Sequence, residues 1–297
     1  MFLTLYIFEV KILKEFISCI IVTYNTDENI INVIDSLEKQ VSQIIIVDNG
    51  SNDKTKNILN KFLKTENIDI IYNYDNYGIA KALNIGIKRA LEYKSDWILT
   101  LDHDSILDKD MISKMLNFYN NLLDEEKKKV GILAPEILDV SINRSYYNIE
   151  ENISYKKVEH VIQSGSLIKA SIFKDIGFFN EKLFIYYVDT EFCFNVRKHR
   201  YEIFMVKEAI LFHEEGKKER RIFCGLEFTY DNYSNQAIYY ISRNSIYMFR
   251  KYKKITFIMR IIYDFIKILL AEPKKIKYLF YGIKDGVLKI YGKKSKW

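Results

Sequence analysis

Cysteine is scarce in this 297-residue chain, and the three present, Cys19, Cys193 and Cys224, are widely spaced and form no CxxC pair. Such an odd, scattered set supports neither a disulfide framework nor a zinc site, and it fits a reducing cytoplasm. Long hydrophobic runs are also missing: no stretch reaches the roughly 18 uncharged apolar residues that a membrane-spanning helix requires. The opening MFLTLYIFEVKILKEF is apolar, but Glu9, Lys11, Lys14 and Glu15 interrupt it, and it has neither a basic start nor a small-residue cleavage site. No signal peptide is read there. Internal repeats and low-complexity blocks are absent too. What remains is a globular chain, free in solution or held at a membrane surface.

Hydrophobic residues make up 48% of the sequence, enough for a sizeable core in one large domain or two small ones. The formal net charge of +6 is unevenly spread. From Arg250 to Trp297, 14 Lys and Arg stand against 3 Asp and Glu, an excess of +11, whereas everything before carries 31 basic against 36 acidic residues, or −5. The basicity belongs to the C-terminal tail.

Short β-branched runs alternate with helical patterns in the first third. SCIIVTYN from Ser18, QIIIVDNGS from Gln43, IDIIYN from Ile68 and a strand from Asp96 to Leu101 are separated by helical stretches at 30–39, 54–63 and 80–93. Continuous apolar strands joined by helices predict a parallel sheet covered on both faces. Ligands of open α/β sheets bind in the crevice at the carboxyl ends of the strands. Polar clusters fall at those ends: Thr23 to Asn25, Asp48 to Ser51, Asn73 to Asn76, and Asp102 to Asp104. Any one of them reads as solvation; four on one rim favour a nucleotide or polar-ligand site. Gly50 and Gly78 permit tight turns there. Further on, the charges between Asn117 and Lys129 read as a solvated helix face, Pro135 closes a short strand, GILAPEI, and residues 139–155 read as a loop or edge hairpin.

Asp102 and Asp104 lie one residue apart just past a strand, so their side chains point to opposite sides. One can meet a ribose hydroxyl while the other holds a hard divalent cation, Mn²⁺ or Mg²⁺, on a substrate diphosphate. An acidic triplet is weak evidence by itself. Its context is specific. The series IIVTYN, IIIVDNGSND, NYGIAKALNIGIKRA and WILTLDHDS resembles the nucleotide-sugar domain of the family-2 class of inverting glycosyltransferases, which have the A-type (GT-A) fold. The likeness continues through IQSGSLIKASIFKDIGFFNEKLFIYYVDTEFCFNVRKHRYEIFMV, LFHEEG, YYISRNSIYMFRK and YGIKDGVLKIYGKK, covering most of Ser18 to Lys294. The second half looks most like the bacterial rhamnosyltransferase branch, where VDTE replaces the commoner Glu-Asp pair.

That resemblance implies a Rossmann-like α/β nucleotide-diphospho-sugar transferase fold with a mostly parallel central sheet. It also implies a set of roles. Asp48 and the loop Thr23, Tyr24 and Asn25 would hold the base, Asp102 the ribose, and Asp104 the bridging metal. Asn76, Gly78 and Lys81 would lie near the phosphates, where helix N-terminal amides favour anions. Asp189 would be the general base, with Glu191 supporting or orienting it; capping of a helix start is the plain alternative for both. His213 matches a third metal or diphosphate contact, against the plain reading of a structural histidine, and His103 is expected to face away from the cation. Arg243 would meet phosphate or acceptor, against a surface ion pair. Gln163, Ser164 and Gly165 match a small-residue turn that admits an acceptor, against a plain strand turn. Most of the 23 Tyr and 19 Phe read as core, with Tyr186 and Tyr187 the pair to inspect for sugar stacking.

In the tail, Arg260, Asp264 and Lys267 form one charged stripe on an otherwise apolar helix. It would lie against the catalytic body or dip into a bilayer surface, aided by the lysines of PKKIK and YGKKSK. Nucleic acid is disfavoured because no recognised motif accompanies the basic tail.

The expectation is a catalytic domain over 1–250, with a nucleotide-sugar half at about 18–108 and an acceptor half at about 130–245, followed by a basic amphipathic tail over 251–297. Its activity would be metal-dependent, inverting transfer of a sugar, L-rhamnose from a dTDP donor, to a surface polysaccharide or lipid-linked precursor, in the cytoplasm or at the inner membrane face. The alternatives are a UDP-sugar donor or a nucleotide-sugar-binding partner without turnover. A nucleotidyltransferase is disfavoured because IIVTYNTDEN has neither glycine nor lysine for a phosphate loop.

Overall fold

The structure is a computed structural model, and it describes residues 15–139, 144–145, 153–213, 219–223, 226–230 and 232–295. The interrupted apolar start before Glu15, Cys224, the end of LFHEEG and most of 139–155 lie outside the described residues. The alternation expected in the first third is present as β1 (Ile17–Thr23), α1 (Ile30–Leu37), β2 (Gln43–Asp48), α2 (Asp53–Leu59), β3 (Ile68–Tyr72), α3 (Ile79–Glu92) and β4 (Trp97–Asp102). Then come β5 (Ile106–Leu107), α4 (Met111–Asn120), α5 (Asp124–Lys127), β6 (Val130–Asp139), β7 (Arg144–Ser145), β8 (Tyr155–Val158), β9 (Ser166–Lys169), α6 (Ile172–Ile176), α7 (Val188–Lys198) and β10 (Glu202–His213). A ribbon of β11 (Glu219–Phe223) and β12 (Leu226–Tyr230) precedes three helices, α8 (Asn235–Tyr252), α9 (Thr256–Ala271) and α10 (Ile276–Val287).

One sheet organises the body in the order β3-β2-β1-β4-β9-β6-β10-β5. Its first four strands are parallel. β9 then runs antiparallel to both β4 and β6, and β6 is parallel to β10. All seven residues of β1 are buried, because both faces are covered. Cys19 and Ile21 pack into a core with α1 and α4, whereas Ile20 and Val22 pack into a second core with α3, α6 and α7.

Pro135 does not close its strand. β6 continues to Asp139, and the reason lies on its neighbour. Pro135 pairs with Val206, and the register of β10 then jumps so that Ile210 is the next partner, opposite Glu136. A proline offers no N–H to a ladder, so the interruption in β10 falls where the donor is missing. The charged helix expected near 117–129 is two helices, broken at 121–123, with Met111, Ile112, Met115 and Leu116 of the first buried.

The C-terminal helices pack tightly on one another. α10 crosses α8 at Gly282 and Gly286, where an added Cβ would run into Ser242 and the carbonyls of Tyr239 and Arg243. Among the described residues no helix is long and apolar enough to cross a membrane.

α3 lies on the sheet through Gly86, whose Cβ would stand 2.5 Å from Ile20 Cγ2 and 3.2 Å from Val47 Cγ2. Both neighbours are fully buried and cannot move aside. Gly86→Val is expected to lower stability by about 2 kcal/mol or more through overpacking, read as a lower urea midpoint at unchanged slope.

Candidate active site

The cleft forms where β1, β2 and β4 end, against the segment from Leu183 to Asp189. Tyr24, Asn49, Asn76, Gly78, Asp102, His103, Gln163, Tyr186 and Asp189 are among the residues lining a cavity of about 430 Å³. A neighbouring hollow of about 760 Å³ is lined by Asn25, Asp104 and Phe212, and His103 borders both. His103 therefore faces the cleft, outside the cluster that Asp102, Asp104 and His213 form.

Hydrogen bonds tie the strand ends together. Asn49 Nδ2 donates to Asn76 Oδ1 at 3.1 Å, Asn73 Nδ2 and the Tyr77 amide donate to Asn49 Oδ1 at 3.2 and 3.1 Å, and the Gly78 amide donates to Asn76 Oδ1 at 2.9 Å. Gly78 has φ +86°, and a side chain there would meet the Phe184 carbonyl oxygen at 2.5 Å. That oxygen accepts the Ile79 amide at 2.8 Å, so the start of α3 is fastened to the far wall of the cleft. Lys81 is exposed, with its ammonium 4.4 Å from the Tyr77 ring centre, and it does not line the cavity.

Thr23 and Asp48 require a correction. Both are 0% exposed. Thr23 Oγ1 donates to Asp48 Oδ1 and the Ser51 amide donates to Asp48 Oδ2, each at 3.1 Å, so this carboxylate shapes the loop from within. The Asn25 amide donates to Ser51 Oγ at 2.9 Å, which leaves Tyr24, 48% exposed, to face the cavity together with Asn49.

At the end of β4, Asp102, Asp104 and His213 bring one donor atom each within 4.8 Å of one another. A chain of hydrogen bonds holds the arrangement: the Asp102 amide donates to Ser164 Oγ at 3.0 Å, Ser164 Oγ to Ser105 Oγ at 2.8 Å, and Ser105 Oγ meets His213 Nδ1 at 2.9 Å. His213 Nδ1 stands 3.7 Å from Asp104 Oδ1. Gly165, at φ +79°, donates its amide to the Thr100 carbonyl at 2.8 Å and packs against Pro135 and Leu211; it shapes the turn without lining the cavity. Gln163, two residues before it, does reach the cleft. Its Nε2 donates to Asp102 Oδ1, and its Oε1 is buried with no hydrogen-bond partner among the described residues. Burial, then the charges of Asp104 and Asp189, push the Asp102 carboxyl up to about 7. Two carboxylates and an imidazole in such crowding suit a divalent cation, and the imidazole favours Mn²⁺ over Mg²⁺.

Asp189 occupies the first turn of α7 and is about a quarter exposed toward the cavity. The Thr190 amide donates to its Oδ1 at 2.6 Å, while Oδ2 lies 3.9 Å from His160 Nε2. The same His160 nitrogen meets Thr190 Oγ1 at 3.0 Å, a contact that no motif around His160 announces. Glu191 is 2% exposed, ion-paired with Lys251 and bonded by the Tyr252 hydroxyl at 3.1 Å, so it braces α7 against α8.

Arg243 is neither a phosphate contact nor a surface ion pair. It is 1% exposed, and its guanidinium donates to the carbonyls of Gly292 at 2.6 Å, Lys182 at 3.2 Å and Leu183 at 3.0 Å. Its neighbour Asn244, fully buried, places Nδ2 2.8–2.9 Å from the carbonyls of Leu183, Ile185 and Tyr186. These carbonyls belong to the cleft wall in which Phe184, Tyr186 and Tyr187 all hold φ near +60°. Bulky residues avoid that region, at a cost of about 1–3 kcal/mol each. The two side chains of α8 hold the wall in place.

The fold and cleft define an α/β transferase of the nucleotide-sugar type. A model described as "Glycosyl transferase family 2" matches residues 18–177, and the chain belongs to that family. Its similarity to a dTDP-rhamnosyl transferase RfbF of Shigella flexneri is 29% identity, over 93% of this chain and 97% of the relative. A low-salt glycan biosynthesis hexosyltransferase Agl10 of Haloferax volcanii is 25% identical over 94% of each. Among solved structures, GalNAc-T7 with UDP, GalNAc and Mn²⁺ gives a TM-score of 0.56 at 14% identity, covering 77% of this chain and 47% of that protein, so the chain spans less than half of it. S. aureus TarS 1–349 with UDP-GlcNAc gives 0.53 at 16%, covering 93% and 73%. Both share the GT-A fold expected from the sequence.

Asn244→Ala removes the amide that faces three wall carbonyls. A loss of about 2–3 kcal/mol is expected from the unpaired groups, with protease cleavage between 183 and 187 appearing below the global melting temperature. Unchanged protection there would show that the wall needs no clamp.

Proposed function

We propose that the protein is an inverting, divalent-cation-dependent glycosyltransferase that moves L-rhamnose from dTDP-L-rhamnose onto a surface polysaccharide or its lipid-linked precursor. The carrying observation is that Asp102 lines the same cavity as Asp189 and clusters with Asp104 and His213 within 4.8 Å, so the candidate cation site and the candidate base border one cleft. The full-length similarity to a dTDP-rhamnosyl transferase supports the choice of donor.

In this reading the base lies against Tyr24 and Asn49, inside the loop that Thr23, Asn25 and Asp48 shape. Asp102 and the unpartnered Gln163 Oε1 accept donor hydroxyls, and Asn76 and Gly78 border the diphosphate. Asp104 and His213, with Asp102 alongside, would hold the cation, whose chemistry when bound is to offset charge on the leaving diphosphate. Asp189 takes the proton of the acceptor hydroxyl as that oxygen bonds to the anomeric carbon and the bond from that carbon to the diphosphate oxygen breaks. Thr190 and His160 orient the carboxylate. Residues 1–250 form the catalytic unit, and the basic helices over 251–297 meet the inner face of the membrane where a lipid-linked acceptor resides.

A UDP-sugar donor is the second reading, favoured by the UDP-bound and UDP-GlcNAc-bound structural neighbours. Purified protein with Mn²⁺ or Mg²⁺ is incubated separately with dTDP-rhamnose, UDP-glucose and UDP-galactose, and released nucleotide is measured. Release from dTDP-rhamnose alone is expected; binding without release from any donor would favour a non-catalytic partner. Asp189→Asn should keep donor binding and lose transfer by roughly 10²–10⁴-fold, whereas Asp104→Asn should weaken Mn²⁺-dependent donor binding. Full activity in both variants would sink the mechanism.

A further inference from the structure

The charged stripe of α9 lies on the protein side beside buried Phe257, Ile261 and Ile268, and a second apolar stripe of the helix faces water. Asp264 is only 13% exposed, ion-paired with Arg260 at 2.8 Å, and it borders a small internal cavity with Tyr233, Ile238 and Leu279. Ile255, Met259, Ile262, Tyr263, Ile266 and Leu269 fall at spacings of three and four, and all are 47–62% exposed. A surface helix usually presents polar residues to water, and this one presents a second apolar stripe. α10 extends the same surface: its ring of Phe280 lies 6.1 Å from Phe265 of α9, and its exposed stripe combines Phe280, Tyr281 and Val287 with Lys277 and Lys284. Exposed apolar surface of this extent marks an interaction site.

Charge selects the partner. Each of the three acids of the segment is ion-paired, Asp264 with Arg260, Glu272 with Lys275 and Asp285 with Lys294; Asp264 and Asp285 are largely covered and Glu272 is half-buried. Lys274, Lys277, Lys284 and Lys289 are exposed and enter no ion pair among the described residues. The outer face thus offers aliphatic and aromatic groups ringed by cations alone. A second copy docking symmetrically would set these lysines against their own equivalents with no exposed acid between them. We infer that the outward faces of α9 and α10 dock on an anionic lipid bilayer, with the apolar stripe entering the headgroup boundary and the lysines meeting lipid phosphate. This deepens the membrane contact proposed above by naming its surface, and it needs no turnover to be tested.

The intact protein is floated with vesicles of phosphatidylcholine alone and with vesicles containing phosphatidylglycerol, at low and high salt. Binding is expected only to the anionic vesicles, weakened but not abolished by salt. Lys277→Glu/Lys284→Glu should reduce it at least tenfold, at about fivefold per lysine, and Ile262→Asp/Ile266→Asp should reduce it similarly while leaving donor binding intact. Absence of binding by the intact protein, or binding by both double variants at the level of the intact protein, overturns the inference. So does a wild-type dimer in light scattering that Ile262→Asp/Ile266→Asp converts to monomer, which would assign the face to a second copy. Because flotation reads no chemistry, it stands or falls apart from the donor panel.

Discussion

The cleft is organised around a repulsion. Three carboxylates from two distant parts of the chain, Asp102 and Asp104 at the end of β4 and Asp189 in α7, are held where ionising the first is costly, through burial and then through the charges of the other two. Left free, like charges in a half-buried site would separate or take up protons. Here they are kept in place by hydrogen bonds from neighbouring groups. Gln163 grips Asp102, the Ser164–Ser105–His213 chain fixes the turn behind Asp104, and the Thr190 amide holds one oxygen of Asp189. A sheet that inserts the antiparallel β9 between β4 and β6 supplies the geometry, since β9 delivers Gln163 and Ser164 to the end of β4. The stored repulsion is what a divalent cation would relieve, and electrostatic preorganisation of this kind is a large part of how transferases lower barriers.

The opposite wall depends on a different device. Phe184, Tyr186 and Tyr187 occupy backbone conformations that such residues avoid, and Phe184 and Tyr186 line the cavity. Strain of that sort persists only when neighbours over-determine it. Arg243 and Asn244 of α8 do so through backbone carbonyls, and Arg243 also holds Gly292 beyond α10. Lys293 pairs with Asp75 at 2.7 Å, on the loop before the start of α3. The C-terminal helices are thus joined to the cleft on two sides.

The parallel half of the fold was legible because its strands are fully buried and therefore continuously apolar, a signal local in sequence. Asp102, Asp104 and His213 were legible through resemblance, and the chain does bring them together. Arg243 and Asp48 were misread for a shared reason: their partners are the carbonyls of Lys182 and Gly292, or the amide of Ser51, and backbone groups carry no letter in the sequence. Pro135 was misread because the accommodating bulge lies on β10, some seventy residues on. His160 escaped notice since nothing local ties it to Thr190.

The tail shows the limit of periodicity most sharply. Arg260, Asp264 and Lys267 do share one side of α9, as the spacing predicts, but a stripe does not say which way it faces. On the body side the Arg260–Asp264 pair lies beside Tyr233 and shares the inward face with Phe257, Ile261 and Ile268, which leaves a second set of large apolar residues, Ile262, Ile266 and Leu269 among them, facing outward. An arrangement that exposes Ile262, Ile266 and Leu269 to water lowers the stability of an isolated monomer. It becomes favourable only when those side chains leave water, so the orientation of α9 is itself a statement about the surroundings in which the chain functions.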